Sequence, residues 1–235
     1  MMRNSYDNFF EALGMRESSG NYAAIQAKYH YLGKYQMGEG ALIDTGYYTD
    51  DGKKNNNKFL DQFWTGKDGV YSQKEFLKNH LAQENAVREY AYLHWVEIKN
   101  KNLDLYIGRI VHGHLLTISG MLAGAHILGV GGLEAFIKHG VVREDGNQVR
   151  IVAYIDQFAG YKTPFQARKK LTGIKRNKHK VTISYQIDQV EWVSKEEAIQ
   201  MVRSKALDGV IVANRKGTVF LRTRPDNLTD NNLVG

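Results

Sequence analysis

Apolar side chains recur at helical spacing through the first two thirds of the chain and at alternate positions through the last third. Tyr6, Phe9, Phe10 and Leu13 fall on one face of a helix. Asn4 or Ser5 is placed to cap it and Gly14 lies near its expected stop. From Ser72 to Asn100 the helical pattern is sustained by Phe76, Leu77, Leu81, Val87, Tyr90, Ala91, His94, Trp95 and Ile98. Ser72 and Glu75 are spaced as a capping box at its start. Thr117–Leu128 is apolar all round, so it predicts a buried central helix. Gly129–Gly132 is expected to break that helix, Leu133–Lys138 to begin a short one, and Val149–Phe158 to form the last, closed by Gly160 and Pro164. The polar run Lys53–Lys58 predicts an exposed loop.

Beyond residue 165 the period changes. Val181–Val193 alternates and predicts one half-buried strand, Ser194 caps a helix with Glu196 and Glu197 in its first turn, and Val210–Ala213 and Thr218–Arg222 predict two strands joined at Lys216-Gly217. The fold expected is α+β: a mainly helical domain over 1–165, a linker over 166–180, and a small β-α-β-β module over 181–235.

Composition narrows the chemistry. At 235 residues the chain suits one ordinary domain plus a small one, and its 43% hydrophobic and 24% charged residues are those of a globular protein. With no cysteine, disulfides, thiolate metal sites and thiol nucleophiles are excluded. The segment MMRNSYDNFF lacks the apolar core of a signal peptide, and no apolar run reaches the ~20 residues that span a bilayer, so no membrane span is expected. The net charge of +7 concentrates in Lys162–Lys180, which holds eight Lys/Arg and no Asp/Glu; the remainder carries 24 basic against 25 acidic residues. That stretch suits a solvated linker or a surface for anionic polymers, but it has few aromatics to stack on bases, so nucleic acid is not the expected partner. His112, His114 and His126 lack diagnostic ligand spacing, and no metal or cofactor is expected.

The most informative residue is Glu17, in RESSGNYAA (Arg16–Ala24), placed just past the first helix. A Gly/Tyr/Gln turn follows it, YLGKYQMGEGAL (Tyr31–Leu42), carrying Tyr35, Gln36 and Glu39. A carboxyl group at a helix end facing such a loop can protonate a glycosidic oxygen, and Tyr6, Phe9, Phe10 and Met37 could supply the apolar wall that keeps such a group protonated. For a second carboxylate Glu39 is the first choice, with Asp44, Asp50 and Asp51 open.

With Glu17-Ser18, Gly33–Gly38, and Leu122–His126 running into Gly129–Gly132, the first 165 residues resemble the lysozyme-like superfamily, in its goose-type lysozyme and lytic transglycosylase branch. The words GKYQMGEGAL, TGKDGVYS, LAGAHILGVGGL and FAGYKTPF are similar to a subgroup of bacterial proteins attached to phage-like and contractile secretion machinery. The C-terminal word Leu221-Arg222-Thr223-x-Pro225-Asp226 resembles a small bacterial domain family of unknown function. The resemblance implies a muramidase that cuts the β-1,4 bond between N-acetylmuramic acid and N-acetylglucosamine in peptidoglycan. Glu17 would be the general acid and Glu39 its partner, with Ser18, Tyr35, Gln36 and Tyr154 holding the sugars. Without a second carboxylate the product would be a 1,6-anhydro sugar, as from a lytic transglycosylase. A chain without a leader that acts on the wall is expected to be carried from the cytoplasm to the periplasm. An antibacterial effector loaded on a secretion apparatus and neutralised by an immunity protein is favoured over a phage endolysin. The competing class is a wall-binding component of a tail or secretion apparatus that does no catalysis.

Overall fold

In a computed structural model the chain forms two compact units, Met1–Phe165 and Gln166–Gly235. The structure describes residues 5–53, 56–146, 148–204, 206–208, 210–215 and 217–223. The fold is α+β, with seven helices and small sheets among the described residues.

The first unit opens with α1 (Tyr6–Ser18), whose first turn is capped by Ser5 Oγ accepting from Asn8 N at 3.1 Å. Gly14 does not stop it. The helix runs one turn further, to a left-handed Ser19, so Glu17 lies in the last turn and not beyond the end. Gly14 serves close approach instead: a Cβ there would stand 2.5 Å from Lys34 Cε. A short α2 (Glu39–Asp44) follows the Tyr/Gln turn. The long helical stretch is two helices, α3 (Gln73–Lys78) and α4 (His80–Asn100), divided where Asn79 leaves helical geometry and its Oδ1 accepts from Ala82 N. At the start of α3, Ser72 Oγ accepts from Glu75 N, but Glu75 Oε2 accepts from Tyr71 N, one residue beyond the Ser72 N–H that a closed capping box would use. Leu81, expected on the apolar face, is exposed.

After a two-residue ribbon, β1 (Ile110–Val111) with β2 (His114–Leu115), comes α5 (Ile118–His139). The expected break is a kink: Gly129 adopts φ 66°, ψ 170° and the helix resumes on the other side. The helix α5 is long and apolar enough, by those measures alone, to cross a membrane. Most of it is buried in the unit, with Met121, Leu122, Ala123, Leu133 and Phe136 in the core. Its main neighbours are α4 and α6 (Ile151–Gln157).

The second unit pairs β3 (Lys169–Arg176), β4 (Thr182–Ile187) and β5 (Glu191–Ser194) antiparallel. It adds β6 (Leu207–Asp208) parallel to β3, and a separate ribbon of β7 (Val210–Arg215) and β8 (Thr218–Thr223). Helix α7 (Lys195–Arg203) carries the capping box of Ser194 with Glu197. Two expectations fail here. The basic 166–180 segment is not a linker: its residues 169–176 form strand β3, in which Leu171 and Ile174 pack on the unit's core while Lys169, Lys170, Lys175 and Arg176 stay exposed. Val181–Val193 is two strands, because Asp188 and Gln189 turn the chain at φ 50° and 62°. Lys216 of the expected β7–β8 turn, and the end of the Leu221–Asp226 word, lie outside the described residues. The core here is Tyr185, Ile187, Ala198, Ile199, Leu207, Val210 and Leu221, and Leu221 N donates to Tyr185 Oη across the two sheets at 3.3 Å.

One buried polar cluster orders the first unit. Lys34, 2% exposed, donates to Glu11 at 2.7 Å and Glu84 at 3.0 Å, while Tyr22 and Tyr35 donate to the same Glu84 oxygen at 2.8 and 2.6 Å. Burial alone would raise the Glu84 carboxyl pKa, but the hydrogen bonds from Tyr35, Lys34 and Tyr22 outweigh it and hold it below its ordinary value. A buried ammonium stripped of its main partner is costly, so Glu84→Ala is expected to lower unfolding stability by about 3 kcal/mol, read from the urea midpoint at neutral pH. A depressed carboxyl contributes stability above its unfolded pKa and loses it as pH falls through the folded one. The gap between wild type and Glu84→Ala should therefore narrow in acid.

Candidate functional site

A cleft of the first unit, about 450 Å³, is lined by Glu17 from the end of α1, by Gln36–Ala41, by Asn57 and by Tyr90 of α4. His126–Gly129, at the kink of α5, and Glu144–Gly146 complete the far side, with Gln26 and Tyr31. Glu17 reaches it because it continues the apolar stripe of α1: Tyr6, Phe10, Leu13 and Glu17 follow one another at three- and four-residue steps. Phe9, Phe10 and Leu13 are each 1% exposed and anchor the helix, so the next position on that stripe emerges at the cleft edge.

Three contacts fix this end of α1. Tyr154, 4% exposed on α6, donates its hydroxyl to Glu17 Oε1 at 2.6 Å. Burial first, and then the charge and hydrogen bond of Glu17, push the Tyr154 phenol pKa far up, so it stays a donor. Ser18 Oγ donates to Lys34 O at 2.9 Å, tying the helix end to the Tyr/Gln turn. The Arg16 guanidinium lies 5.5 Å over the Tyr154 ring. Oε1 of Glu17 is thus committed to Tyr154, and Oε2 takes no hydrogen bond from the described residues.

Glu39 lines the same cleft but is 1% exposed. It is clamped to Asn57, another correction, since the Lys53–Lys58 loop turns inward there. Glu39 N donates to Asn57 Oδ1 at 2.7 Å, Asn57 N donates to Glu39 Oε2 at 3.0 Å, and Asn57 Nδ2 donates to Tyr29 O at 2.6 Å. Glu39 Oε1 is buried with no hydrogen-bond partner among the described residues. Burial pushes its carboxyl pKa up, the nearby Asp51 and Asp50 charges add to this, and the Asn57 N–H opposes it.

The other sites assigned from sequence divide. Gln36 lines the cleft, at φ 47°, with Nε2 donating to Gly33 O at 2.8 Å. Tyr35 does not: it is 1% exposed and its hydroxyl serves Glu84, so it is no sugar platform. Ser18 and Tyr154 are likewise absent from the cleft lining among the described residues; they hold Glu17 and Lys34 in place. Of the expected apolar wall only Met37 lines the cleft, because Tyr6, Phe9 and Phe10 pack on one another and on Tyr35, Phe158, Tyr161 and Phe165. Asp44 lines a neighbouring cavity with Tyr90 and Gly129, and Asp50 and Asp51 cap their own loop. His112, His114 and His126 have separate partners in Ile137 O, Asp156 and Tyr35 O.

Sequence reasoning missed Glu144 and Asp145, which bring the cleft carboxylates to four. It also missed the strap that closes this end, where Tyr29 Oη donates to Gly146 O at 3.0 Å. Their only signal was the turn chemistry of REDGN (Arg143–Asn147), which predicts a loop and not what the loop faces.

Comparison with known proteins reaches the second unit only: the family described as "Protein of unknown function (DUF3892)" matches residues 169–234. No curated protein and no solved structure matches the chain.

Replacing Glu39 by Gln tests its burial without activity. An acid whose folded pKa is raised supports the fold below its unfolded pKa and loses that support as pH rises through the folded one. Wild-type protein should therefore fall in melting temperature relative to Glu39→Gln on going from acid to pH 8, and a gap that stays constant would refute the assignment.

Proposed function

We propose that the first unit cleaves peptidoglycan glycan strands, with Glu17 as the proton donor. The observation that carries this reading is the Glu17 carboxyl group at the edge of a cleft shared with Glu39 and Gln36, its Oε1 fixed by a buried tyrosine. With Oε1 occupied, Oε2 is the oxygen that passes its proton to the glycosidic oxygen as the C1–O bond breaks. In the hydrolytic reading, water gives its hydroxyl to C1 of N-acetylmuramic acid and its proton restores Glu17, with Glu39 as the second carboxylate across the bond. One observation favours a second reading. Glu39 has one oxygen held by Asn57 and the other shut from solvent, which supports a reaction run by Glu17 alone. The sugar's own 6-hydroxyl would then attack C1 and return its proton to Glu17, leaving a 1,6-anhydro end. As cargo of a delivery apparatus, such an enzyme would be toxic when directed to the periplasm and harmless in the cytoplasm.

Glu17→Gln keeps the shape and removes the proton, so muropeptide release from insoluble peptidoglycan should fall by roughly two to four orders of magnitude. Tyr154→Phe should cost about tenfold, the equivalent of one charge-assisted hydrogen bond. Retention on the wall without soluble products from wild-type protein would replace the reading by wall binding alone. Mass spectrometry of the products separates the two chemistries, since anhydro ends lack one water.

A further inference from the structure

The whole net charge of the protein sits in the second unit: residues 166–235 hold 14 Lys/Arg against 7 Asp/Glu, and residues 1–165 hold 18 of each. One face of the unit's sheet is covered by α7, which packs on β4 and β5, and by the β7–β8 ribbon. Strand pairing defines the other face. Gly173, Gln186 and Trp192 stand opposite one another on β3, β4 and β5, and Lys175 and Ser184 form the next row. Tyr185, Ile174 and Val193, between them in sequence, face the core. Trp192 is 51% exposed, and its ring reaches across β4, since a Cβ on Gly173 would lie 3.5 Å from Trp192 Cη2. Lys170 and Lys175, both exposed, flank this row and have no ion-pair partner among the described residues, whereas Lys169 is taken by Glu191 at 2.6 Å.

We infer that this outer sheet face binds a peptidoglycan strand, with Trp192 stacked on a sugar ring and Lys170 and Lys175 meeting carboxylates of the peptide stems. The inference rests on the proposed wall substrate of the first unit. An indole presents a flat apolar face to the C–H side of a pyranose, and Gln186 and Ser184 offer an amide and a hydroxyl beside it. Charge complementarity gives the sign of the occupant: a surface this basic draws an anionic polymer. The number of platforms argues against nucleic acid, because successive bases need successive aromatics and this face has one. The reach also fits. Five strand steps at ~3.3 Å put Lys170 and Lys175 at most about 16 Å apart along a bulged strand, longer than one sugar and within a few units of a glycan strand.

The test uses the full chain carrying Glu17→Gln, so that digestion does not erode the target, in sedimentation with insoluble peptidoglycan. Trp192→Ala and the double change Lys170→Gln with Lys175→Gln should each weaken retention at least fivefold. Trp192→Phe should keep most of it, and retention should fall with added salt. An unchanged thermal midpoint shows that the fold survives, and a blue shift of the exposed Trp192 fluorescence on adding soluble muropeptides reports the contact directly. Equal retention of Trp192→Ala and parent protein overturns the inference, as does tighter, Trp192-dependent binding to single-stranded DNA. Wild-type protein that releases no muropeptides yet loses retention with Trp192→Ala would sink the cleavage reading alone and leave this one standing.

Discussion

The hydrogen bond from Tyr154 to Glu17 joins residues 137 positions apart, and the placement of the candidate site depends on it. It forms only if α1 and α6 are both pressed into the same core. On α1 this is done by Phe9, Phe10 and Leu13; on α6 by Ile151 and Ile155, both fully buried beside α5. The bond is thus a readout of the whole helical packing. A shift of α6 by one residue would aim Tyr154 elsewhere on the helix circumference and leave Glu17 without an orienting partner.

The same logic explains which parts of the site were legible in the sequence. Glu17 and Gln36 could be found because each sits in a local word whose turn chemistry presents it: a helix end closed by left-handed Ser19, and a turn in which Gln36 takes φ 47°. Tyr35 was misassigned because a tyrosine in such a word looks the same whether it faces a cleft or a buried glutamate. What decides is Glu84, on α4 and 49 residues away, which no local pattern reveals. Glu39 lines the cleft with Glu17, but its buried state was not legible, since the Asn57 clamp comes from a loop whose composition signals only exposure.

The fold shows a similar division. Helix faces of the first unit follow from period, because each buries a broad apolar stripe. The errors fall at single residues that interrupt a period without changing it: Asn79, Gly129, and the Asp188-Gln189 pair. Strand β3 was hidden for another reason. Only Leu171 and Ile174 face the core, while the lysines around them carry the compositional signature of a linker. Pairing supplies what composition lacks, and it also sets Trp192 beside a basic strand from which it is far removed in sequence.

Charge is partitioned as sharply as structure. The first unit is neutral overall yet gathers Glu17, Glu39, Glu144 and Asp145 around one cleft, so the cleft is acidic against a balanced background. Of the four, Glu39 is the most deeply buried, and its pKa is pushed up by that burial and then by the nearby Asp51 and Asp50 charges. Glu144 is already shared with Arg150 at 3.3 Å. Under the proposed glycan cleavage, Glu17 is the group offered for proton exchange, through the oxygen that Tyr154 does not hold. Burying Glu39 and fixing Glu17 by Tyr154 act on different residues, yet in that reading both leave the free oxygen of Glu17, at the end of α1, as the candidate donor.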